Sequence, residues 1–225
     1  MTARQLFDDW PERYDRWFKT PVGRAVLRHE TALVLDLLRP GPGEKILDAG
    51  SGTGIFTREF LARGADVVGL DISWTMLLRA KEKNREFSPK GVTADTLRLH
   101  LADGAFDKTV SVTAIEFIED VKRAVAELFR VTRPGGVVVA ATLNSLSPWA
   151  ARRQEEARHD RESIFTRVFF RSPAQLLAAA PVAGTVRTAV HFRKEDDPAA
   201  LERIEQAGRG RETGAFVAAR WELPA

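Results

Sequence analysis

A glycine-rich turn with an aspartate just before it is the part of this sequence best suited to chemistry. Residues 46–54 read ILDAGSGTG and run from apolar residues into three closely spaced glycines. Glycines allow a tight turn and let a ligand approach the backbone, because no Cβ stands in the way. The pattern predicts a strand over 45–49, a turn over 50–54 and a helix over 55–63. A turn at the carboxyl end of such a strand is where open α/β sheets bind ligands.

The spacing of the glycines separates this turn from a dinucleotide-binding turn. That fingerprint is G-x-G-x-x-G, whereas this chain has Gly50-x-Gly52-x-Gly54 and Ile55 where the third glycine should stand. A pyrophosphate has no use for an acid such as Asp48 immediately before the turn, but a ligand with a positive amino group is compatible with one. A strand–helix turn without any ligand is the plain alternative.

A second aspartate, Asp71, ends the next predicted strand, 66–71. A carboxylate there can accept hydrogen bonds from both hydroxyls of a ribose. Its structural alternative is to cap the helix predicted over 73–83. Ile72 and Met76 follow closely, and we predict that they form one wall of an adenine slot, although Met76 is equally compatible with the core.

A third aspartate follows the short strand predicted over 91–94. Asp95 could accept a hydrogen bond from the exocyclic amine of adenine. On its spacing alone it is equally compatible with a solvated loop acid.

The remaining elements predict how these residues are positioned. Helix-like and strand-like runs alternate, which favours βαβ units and a parallel sheet, and two strands close the chain, which favours an antiparallel edge. The glycines and prolines of 133–136 predict the end of a helix before the next strand. The further predicted strands are 107–113, 137–143, 185–192 and 215–222, and the further helices are 24–38, 121–131, 147–162, one beginning at Ser172-Pro173 and one, or a loop, at 198–207.

Composition limits the classes of function. The chain has 225 residues, no cysteine and a formal net charge of +3 from mixed basic and acidic residues. These values fit one globular domain over 1–225 and exclude disulfide scaffolds, Cys-ligated metals and thiol nucleophiles. No metal site, nucleic-acid partner or stable membrane insertion is predicted, since no basic patch and no apolar run of about 20 residues occurs. The N-terminus has no signal-peptide pattern, so we expect a cytoplasmic location.

Taken together, the motifs resemble those of a known family. The runs ILDAGSGTG (46–54), VVGLDIS (67–73), FDKTVSVTAIEFIED (106–120) and RPGGVVVAATLN (133–144) are similar to the ordered motifs of class I S-adenosylmethionine-dependent methyltransferases, closest to the UbiE/methyltransferase-11 type. The opening FDDWPERYDRWF (7–18) also resembles the start of many of those proteins. The resemblance covers about residues 7–144.

The resemblance implies a fold and a cofactor. We expect a Rossmann-like α/β fold with seven strands, mostly parallel with an antiparallel last strand, and helices on both faces. The cofactor is S-adenosyl-L-methionine, whose methionine and ribose parts are expected against Gly50, Ser51, Gly52 and Gly54.

The resemblance also assigns roles to single residues. Asp71 would hold the ribose, and Asp95 with the backbone at Thr96 would recognise adenine. Thr113 would line the methionine end of the cofactor. Asp48 would reach its amino group, directly or through water, and Tyr14 would cover the sulfonium, because an aromatic face favours a cation.

Methyl transfer does not oblige the protein to supply a catalytic triad, since orientation and a dry pocket are its main contributions. A general base is needed only for some acceptors. Glu116, just after the fourth strand, is the first candidate, and Tyr14 is the other residue expected at the reacting centre. His29, His100 and His191 are weaker candidates. Many relatives have a Leu-Glu-His sequence where this chain has Ala114-Ile115-Glu116-Phe117, so a histidine base at that position is not predicted.

The acceptor pocket is expected to come from a helical N-terminal cap over 1–29 and a lid-like insertion over 145–171. The insertion mixes aromatic residues with arginines that could meet an anionic acceptor, or it could be an amphipathic helix whose arginines face water. The acceptor is predicted to be a small molecule and the chain a monomer or homodimer. The alternatives are a non-catalytic S-adenosylmethionine-binding protein and an NAD(P)-dependent oxidoreductase.

Overall fold

A computed structural model describes residues 5–225 as one α/β sandwich. Seven strands form one sheet in the order β3-β2-β1-β4-β5-β7-β6. Strands β1 to β5 run parallel, and β7 is antiparallel to both β5 and β6. The predicted fold class, with its antiparallel last strand, is confirmed. The strands are β1 (Lys45–Ala49), β2 (Asp66–Asp71), β3 (Lys90–Thr93), β4 (Phe106–Val112), β5 (Thr132–Leu143), β6 (Gly184–Ala189) and β7 (Phe216–Glu222).

Eight α-helices connect or cover the strands. Most begin where the sequence supplies a cap, as at Ser73, Ser147 and Ser172, whose hydroxyls accept hydrogen bonds from backbone N–H groups of the first turn. The helices are α1 (Pro11–Trp17), α2 (Pro21–Leu38), α3 (Ile55–Leu61), α4 (Trp74–Lys83), α5 (Val121–Val131), α6 (Pro148–His159), α7 (Pro173–Leu177) and α8 (Leu201–Gly208). Short 3₁₀ turns lie at Arg85–Phe87, Ile115–Phe117 and Ile164–Arg167.

Apolar side chains form two cores, one on each face of the sheet. One core packs α2 and α3 against β1, β4 and β5, with Leu38 and Phe60 fully buried. The other, on the opposite face, packs α5 against β4 and β5 and α7 against β6 and β7, with Leu128 and Leu176 fully buried. Burial on both faces explains why the middle strands read as continuous apolar runs in the sequence.

The predicted start of the fifth strand is wrong. Pro134 and the two glycines after it were expected to separate α5 from a strand beginning at Val137, but β5 begins at Thr132. Thr132 pairs with Phe106, and a register shift follows before Val137 pairs with Lys108. Gly135 adopts φ +68°, which lets the stretch bulge without leaving the sheet. The segment is therefore an irregular start of a strand.

The strand order reverses between β1 and β4. From β1 the chain builds outward to β2 and β3, and from β4 it builds the other way to β5. Ligands of open α/β sheets bind outside the carboxyl ends of the strands at such a switch point. No helix within residues 5–225 is long and apolar enough to cross a membrane.

Candidate active site

The glycine loop lies at the switch point and requires its glycines. Gly50, Gly52 and Gly54 have φ values of +79°, +54° and +73°, a region that L side chains rarely adopt. A Cβ on Gly50 would lie 2.2 Å from the Cβ of Ala114, in the segment after β4. A Cβ on Gly52 would meet no atom within 4 Å. The loop therefore packs closely on one side and leaves an open approach at Gly52.

Asp71 is fixed beside this opening at the end of β2. Its two carboxylate oxygens accept hydrogen bonds from the backbone N–H groups of Gly52 (2.8 Å) and Ser73 (2.9 Å). Burial raises the pKa of Asp71, and these hydrogen bonds oppose that rise. Ser73, rather than Asp71, caps α4. The carboxylate retains lone pairs for further donors, as the predicted contact with a ribose requires.

Asp48 lies deeper, near the end of β1. It is 1% exposed and accepts a hydrogen bond from Thr57 Oγ1 (2.6 Å). Burial raises its pKa to about 7, and the neighbouring charge of Asp71 adds to the rise. A cationic group placed nearby would favour the ionised carboxylate, which is compatible with the role predicted for Asp48.

The residues predicted to surround adenine occupy different environments. Ile72 is 42% exposed beside Asp71, as expected for a wall that a ligand would cover, whereas Met76 is buried. Asp95 is exposed and accepts a hydrogen bond from the N–H of Leu97 (2.9 Å), while Thr96 is buried. All four residues remain predicted contacts of adenine, and the burial of Met76 also fits its alternative role in the core.

Tyr14 and Thr113 meet across the mouth of the site. The Tyr14 hydroxyl lies 3.5 Å from Thr113 Oγ1, and the Tyr14 ring packs edge-on against Phe18. Thr113 directly follows β4, one residue beyond its last strand residue, with φ +49°. Burial raises the pKa of Tyr14 above its ordinary range, so the hydroxyl stays protonated at neutral pH. Helix α1 thus covers the end of β4, where the reacting centre was predicted.

Glu116 lies in the 3₁₀ turn after β4 and is 2% exposed. Thr142 donates a hydrogen bond to its Oε2 atom (3.2 Å). Burial raises the pKa of Glu116 to about 7, against hydrogen bonds and the positive charges of Arg153 and Arg171. A carboxyl group with such a pKa can exchange a proton near neutrality, as a general base must.

Comparisons with known proteins agree with this geometry. The methyltransferase-11 family model, described as a methyltransferase domain, matches residues 47–140. A demethylmenaquinone methyltransferase from Beutenbergia cavernae is 34% identical over 145 residues, covering 64% of this chain and 59% of that protein. A malonyl-[acyl-carrier protein] O-methyltransferase from Pectobacterium atrosepticum is 39% identical over 110 residues, covering 49% and 43% of the two chains. The matched region spans only about half the length of these curated relatives.

The fold comparison covers almost the whole chain. A crystal structure from Thermotoga maritima, described as an S-adenosylmethionine-dependent methyltransferase and possible histamine N-methyltransferase, superposes with a TM-score of 0.77. It covers 97% of this chain and 98% of that chain at 23% sequence identity, a likeness that concerns the fold alone. Residues 47–140 are therefore similar to the methyltransferase-11 domain, and the chain has the fold of S-adenosylmethionine-dependent methyltransferases. The predicted resemblance is confirmed, while the roles of single residues stay predictions.

Several residues expected to bind the cofactor converge at one edge of the sheet. The glycine loop, Asp48 and Asp71 surround the carboxyl ends of β1 and β2, with Tyr14 and Thr113 at the end of β4. The Ser51 hydroxyl is buried and has no hydrogen-bond partner within residues 5–225, so its polar group is free for a ligand or water. These carboxylate, hydroxyl and backbone groups therefore fit a ligand that has an adenosine at one end and an amino acid at the other.

Sequence reasoning missed the buried aspartate that attaches the N-terminal helix α1 to the rest of the domain. Asp15 of α1 is 7% exposed and accepts hydrogen bonds from Thr53 Oγ1 (2.7 Å), Lys83 Nζ (2.5 Å) and Arg79 Nε (3.1 Å). Burial opposes its ionisation, but these donors lower its pKa below the ordinary value. Asp15 thereby connects α1 to the glycine loop and to α4. Nothing in the local sequence distinguishes it from its exposed neighbour Glu12.

Sequence reasoning also missed Glu30 in α2. The buried face of this helix carries Val26, Glu30, Leu33, Val34 and Leu37 at helical spacing. A glutamate on an otherwise apolar face was a detectable signal, because carboxylates are seldom fully buried without a partner.

The arginines of the predicted lid divide into three groups. Arg171 is buried and donates hydrogen bonds to backbone carbonyl groups, including those of Ile115 (2.9 Å) and Phe169 (3.1 Å). Arg153 is half-buried and faces Glu30 and Glu116. The others are exposed, which favours the amphipathic alternative for them: Arg152, Arg158, Arg161 and Arg167.

Proposed function

We propose that this chain transfers a methyl group from S-adenosylmethionine to a small-molecule acceptor. The observation that carries the proposal is the paired geometry of Gly52 and Asp71. A glycine with open space above it donates its N–H to a carboxylate that is fixed at the end of the second strand. This arrangement suits a ribose, which needs both close backbone approach and a carboxylate acceptor.

When bound, S-adenosylmethionine supplies an electrophilic methyl group on a positively charged sulfur. Asp71 would hold the ribose hydroxyls, and Asp48 would face the amino group. Tyr14 and Thr113 would border the sulfur, with the Tyr14 ring limiting the access of water. The contribution of the chain is therefore orientation of the two reactants and exclusion of solvent.

The curated relatives guide the choice of acceptor class without fixing it. One is named for demethylmenaquinone and another for malonyl-[acyl-carrier protein], and both are matched over only part of their length. The matched family region ends at residue 140, before α6 and the rest of the predicted lid. A small-molecule acceptor, a monomeric or homodimeric state, the absence of nucleic-acid partners and a cytoplasmic location remain our predictions.

Calorimetric titration tests the cofactor assignment directly. We expect S-adenosylmethionine and S-adenosylhomocysteine to bind with one-to-one stoichiometry, and NAD⁺ and NADP⁺ to give no heat of binding. Turnover is then measured as transfer of a labelled methyl group across amines, phenols, thiols and quinols. Binding of NAD(P) in place of S-adenosylmethionine would reverse the assignment. Cofactor binding with no transfer to any acceptor would favour the non-catalytic alternative.

A further inference from the structure

Four elements bring polar side chains to a buried region beyond the Tyr14–Thr113 contact. Tyr14 comes from α1, Glu30 from α2, Glu116 from the 3₁₀ turn after β4, and Arg153 from α6. Tyr14 and Arg153 each interact electrostatically with both carboxylates. Glu30 also interacts with Glu116. Because Tyr14 borders the end of β4, this cluster lies next to the place expected for the reacting methyl group.

Glu30 is the member that packing alone does not explain. It is 5% exposed, and its carboxyl group makes no hydrogen bond to any residue in 5–225. Burying a polar group without a partner costs a few kcal/mol, so such groups are usually satisfied by protein, water or a ligand. The carboxyl group of Glu30, which faces Glu116 and Arg153, is therefore open to a hydrogen-bond donor from water or a ligand.

The charges of the cluster favour a positive ligand. Among residues 5–225, Arg153 is the one cation facing both carboxyl groups, and its guanidinium also lies over the rings of Trp149 (5.0 Å) and Phe165 (5.1 Å). Arg171 also acts on Glu116, but its donors are already used by backbone carbonyl groups. With both carboxyl groups ionised, two negative charges face one available cation.

Burial raises the pKa of Glu30 to about 8 and that of Glu116 to about 7. Each group is therefore able to hold or release a proton near neutrality, according to the charge placed beside it.

From this geometry we infer that the buried region where α1, α2 and α6 meet takes a primary or secondary amine, which Glu30 and Glu116 hold as its ammonium. The inference rests on the proposed methyl transfer and names its acceptor class. One N–H proton of the ammonium moves to a carboxylate oxygen of the pair, which leaves a neutral amine. The nitrogen lone pair then bonds to the methyl carbon as the carbon–sulfur bond breaks. The electron pair of that bond goes to sulfur, giving S-adenosylhomocysteine and the N-methylated ammonium.

Aromatic side chains border this region. Trp149 of α6 is buried, Trp17 of α1 packs edge-on against it, and Phe165 is half-buried. An aromatic amine-bearing probe is therefore suitable, and three compounds with the same ring and chain separate the head groups: 2-phenylethylamine, 2-phenylethanol and phenylacetate.

The experiment measures binding of the three probes by calorimetry to the full chain saturated with S-adenosylhomocysteine. We expect the amine to bind at least tenfold more tightly than the alcohol, and phenylacetate to bind most weakly. Glu30→Gln and Glu116→Gln should each weaken amine binding at least tenfold and leave alcohol binding within threefold. Glutamine keeps the shape and removes the buried charge, so both variants should fold, which thermal melting verifies. Glu155→Gln, on the exposed face of α6, is the control that should change nothing.

Two failures are distinguishable. If the wild-type chain does not bind S-adenosylhomocysteine, the proposed function is wrong. If it does bind, equal affinities for amine and alcohol, stronger binding of phenylacetate, or no binding of any probe at millimolar concentration would each overturn the amine inference. The order of the three probes on the wild-type chain decides the matter even if a variant does not fold.

Discussion

The backbone N–H of Gly52 donates a 2.8 Å hydrogen bond to Oδ2 of Asp71, and this contact joins the glycine loop to the end of β2. The two residues are 19 positions apart in the sequence. Their contact means that any ligand bound over Gly52 lies beside a carboxylate whose orientation is already set. An acceptor that is already oriented in this way loses little conformational freedom when a ligand binds.

Asp71→Ala should weaken S-adenosylhomocysteine binding at least tenfold, equivalent to about 1.4 kcal/mol. The change removes the proposed ribose acceptor and leaves the N–H groups of Gly52 and Ser73 without this partner. Calorimetry gives the dissociation constant, and thermal melting separates binding from folding. Asp66→Ala, at the other end of β2 where Asp66 pairs with exposed Lys90, is the matched control. An unchanged dissociation constant for Asp71→Ala would refute the ribose assignment.

Alanine substitutions in the glycine loop should have different consequences at its two ends. Gly50→Ala would place a Cβ 2.2 Å from that of Ala114 at φ +79°, so we expect a loss of more than about 2 kcal/mol in the free energy of unfolding. Gly52→Ala meets only the backbone cost of a positive φ, about 1 kcal/mol, because no atom lies within 4 Å of the new methyl group. That methyl group would instead occupy the ligand approach.

Urea unfolding and calorimetry of both variants check this contrast. Gly52→Ala should retain most of its stability and lose affinity for S-adenosylhomocysteine. Gly43→Ala, which also has a positive φ and open space but lies before β1, controls for backbone strain alone. Equal affinities of the Gly52→Ala and Gly43→Ala variants would mean that no ligand passes over Gly52.

The elements that were predicted most accurately are those with local signals. The bounds of β1, β2 and α5 agree with the predictions, because apolar runs ended by Gly50, Asp71 and the segment after Val131 mark them in the sequence. Asp48 and Asp71 were predicted from their positions beside the glycine turn, and the structure brings them into electrostatic contact. Neighbouring parallel strands place their carboxyl ends together, so sequence order was sufficient.

The parts that were missed depend on contacts between distant segments. Asp15 is buried only because α1 folds onto α4, and its partners Thr53, Arg79 and Lys83 lie about 40 to 70 residues away. The Pro-Gly-Gly segment stays in β5 because the residues on either side of it, Thr132 and Val137, pair with Phe106 and Lys108 of β4. Neither contact leaves a local pattern.

The free energy of unfolding should fall as pH rises from about 5 to 8, and the titration of Asp48 should contribute to this fall. Its pKa is about 7 in the folded chain and near its ordinary value of 3.8 when unfolded. Above pH 4 the unfolded state has therefore released a proton that the folded state retains, so the free energy of unfolding decreases until pH passes about 7. Glu30 and Glu116 act in the same direction, whereas the lowered pKa of His29 acts against it.

Asp48→Asn isolates one contribution from the others. Asparagine keeps an acceptor for Thr57 and removes the titration, so the variant should gain stability over the wild type between pH 5 and 7, with a constant advantage above pH 7.5. The gain should be a few kcal/mol at most, at about 1.4 kcal/mol per unit of pKa shift. Urea unfolding at half-unit pH steps measures it. A stability difference that does not vary with pH would show that Asp48 does not titrate in this range.

Asp15→Asn should loosen α1 from the remainder of the domain. The substitution keeps an acceptor for Thr53 but leaves Lys83 and Arg79 facing an uncharged group. Because both cations are partly exposed, we expect a loss of about 1–2 kcal/mol in the free energy of unfolding, smaller than for a fully buried ion pair. Amide hydrogen exchange over 11–17 should accelerate more than exchange in α5, since α1 makes few other contacts with the sheet.

The same variant tests whether α1 controls entry to the site. Tyr14 and Asp15 are adjacent, so releasing Asp15 also releases the ring that lies against Thr113. We expect faster association of S-adenosylhomocysteine in stopped-flow measurements and a larger increase in its dissociation rate, because the cap would open more often and close less firmly. Glu12→Gln, on the exposed face of α1, should leave both rates unchanged. Faster exchange over 11–17 with unaltered ligand rates would show that the cap moves independently of the cofactor site.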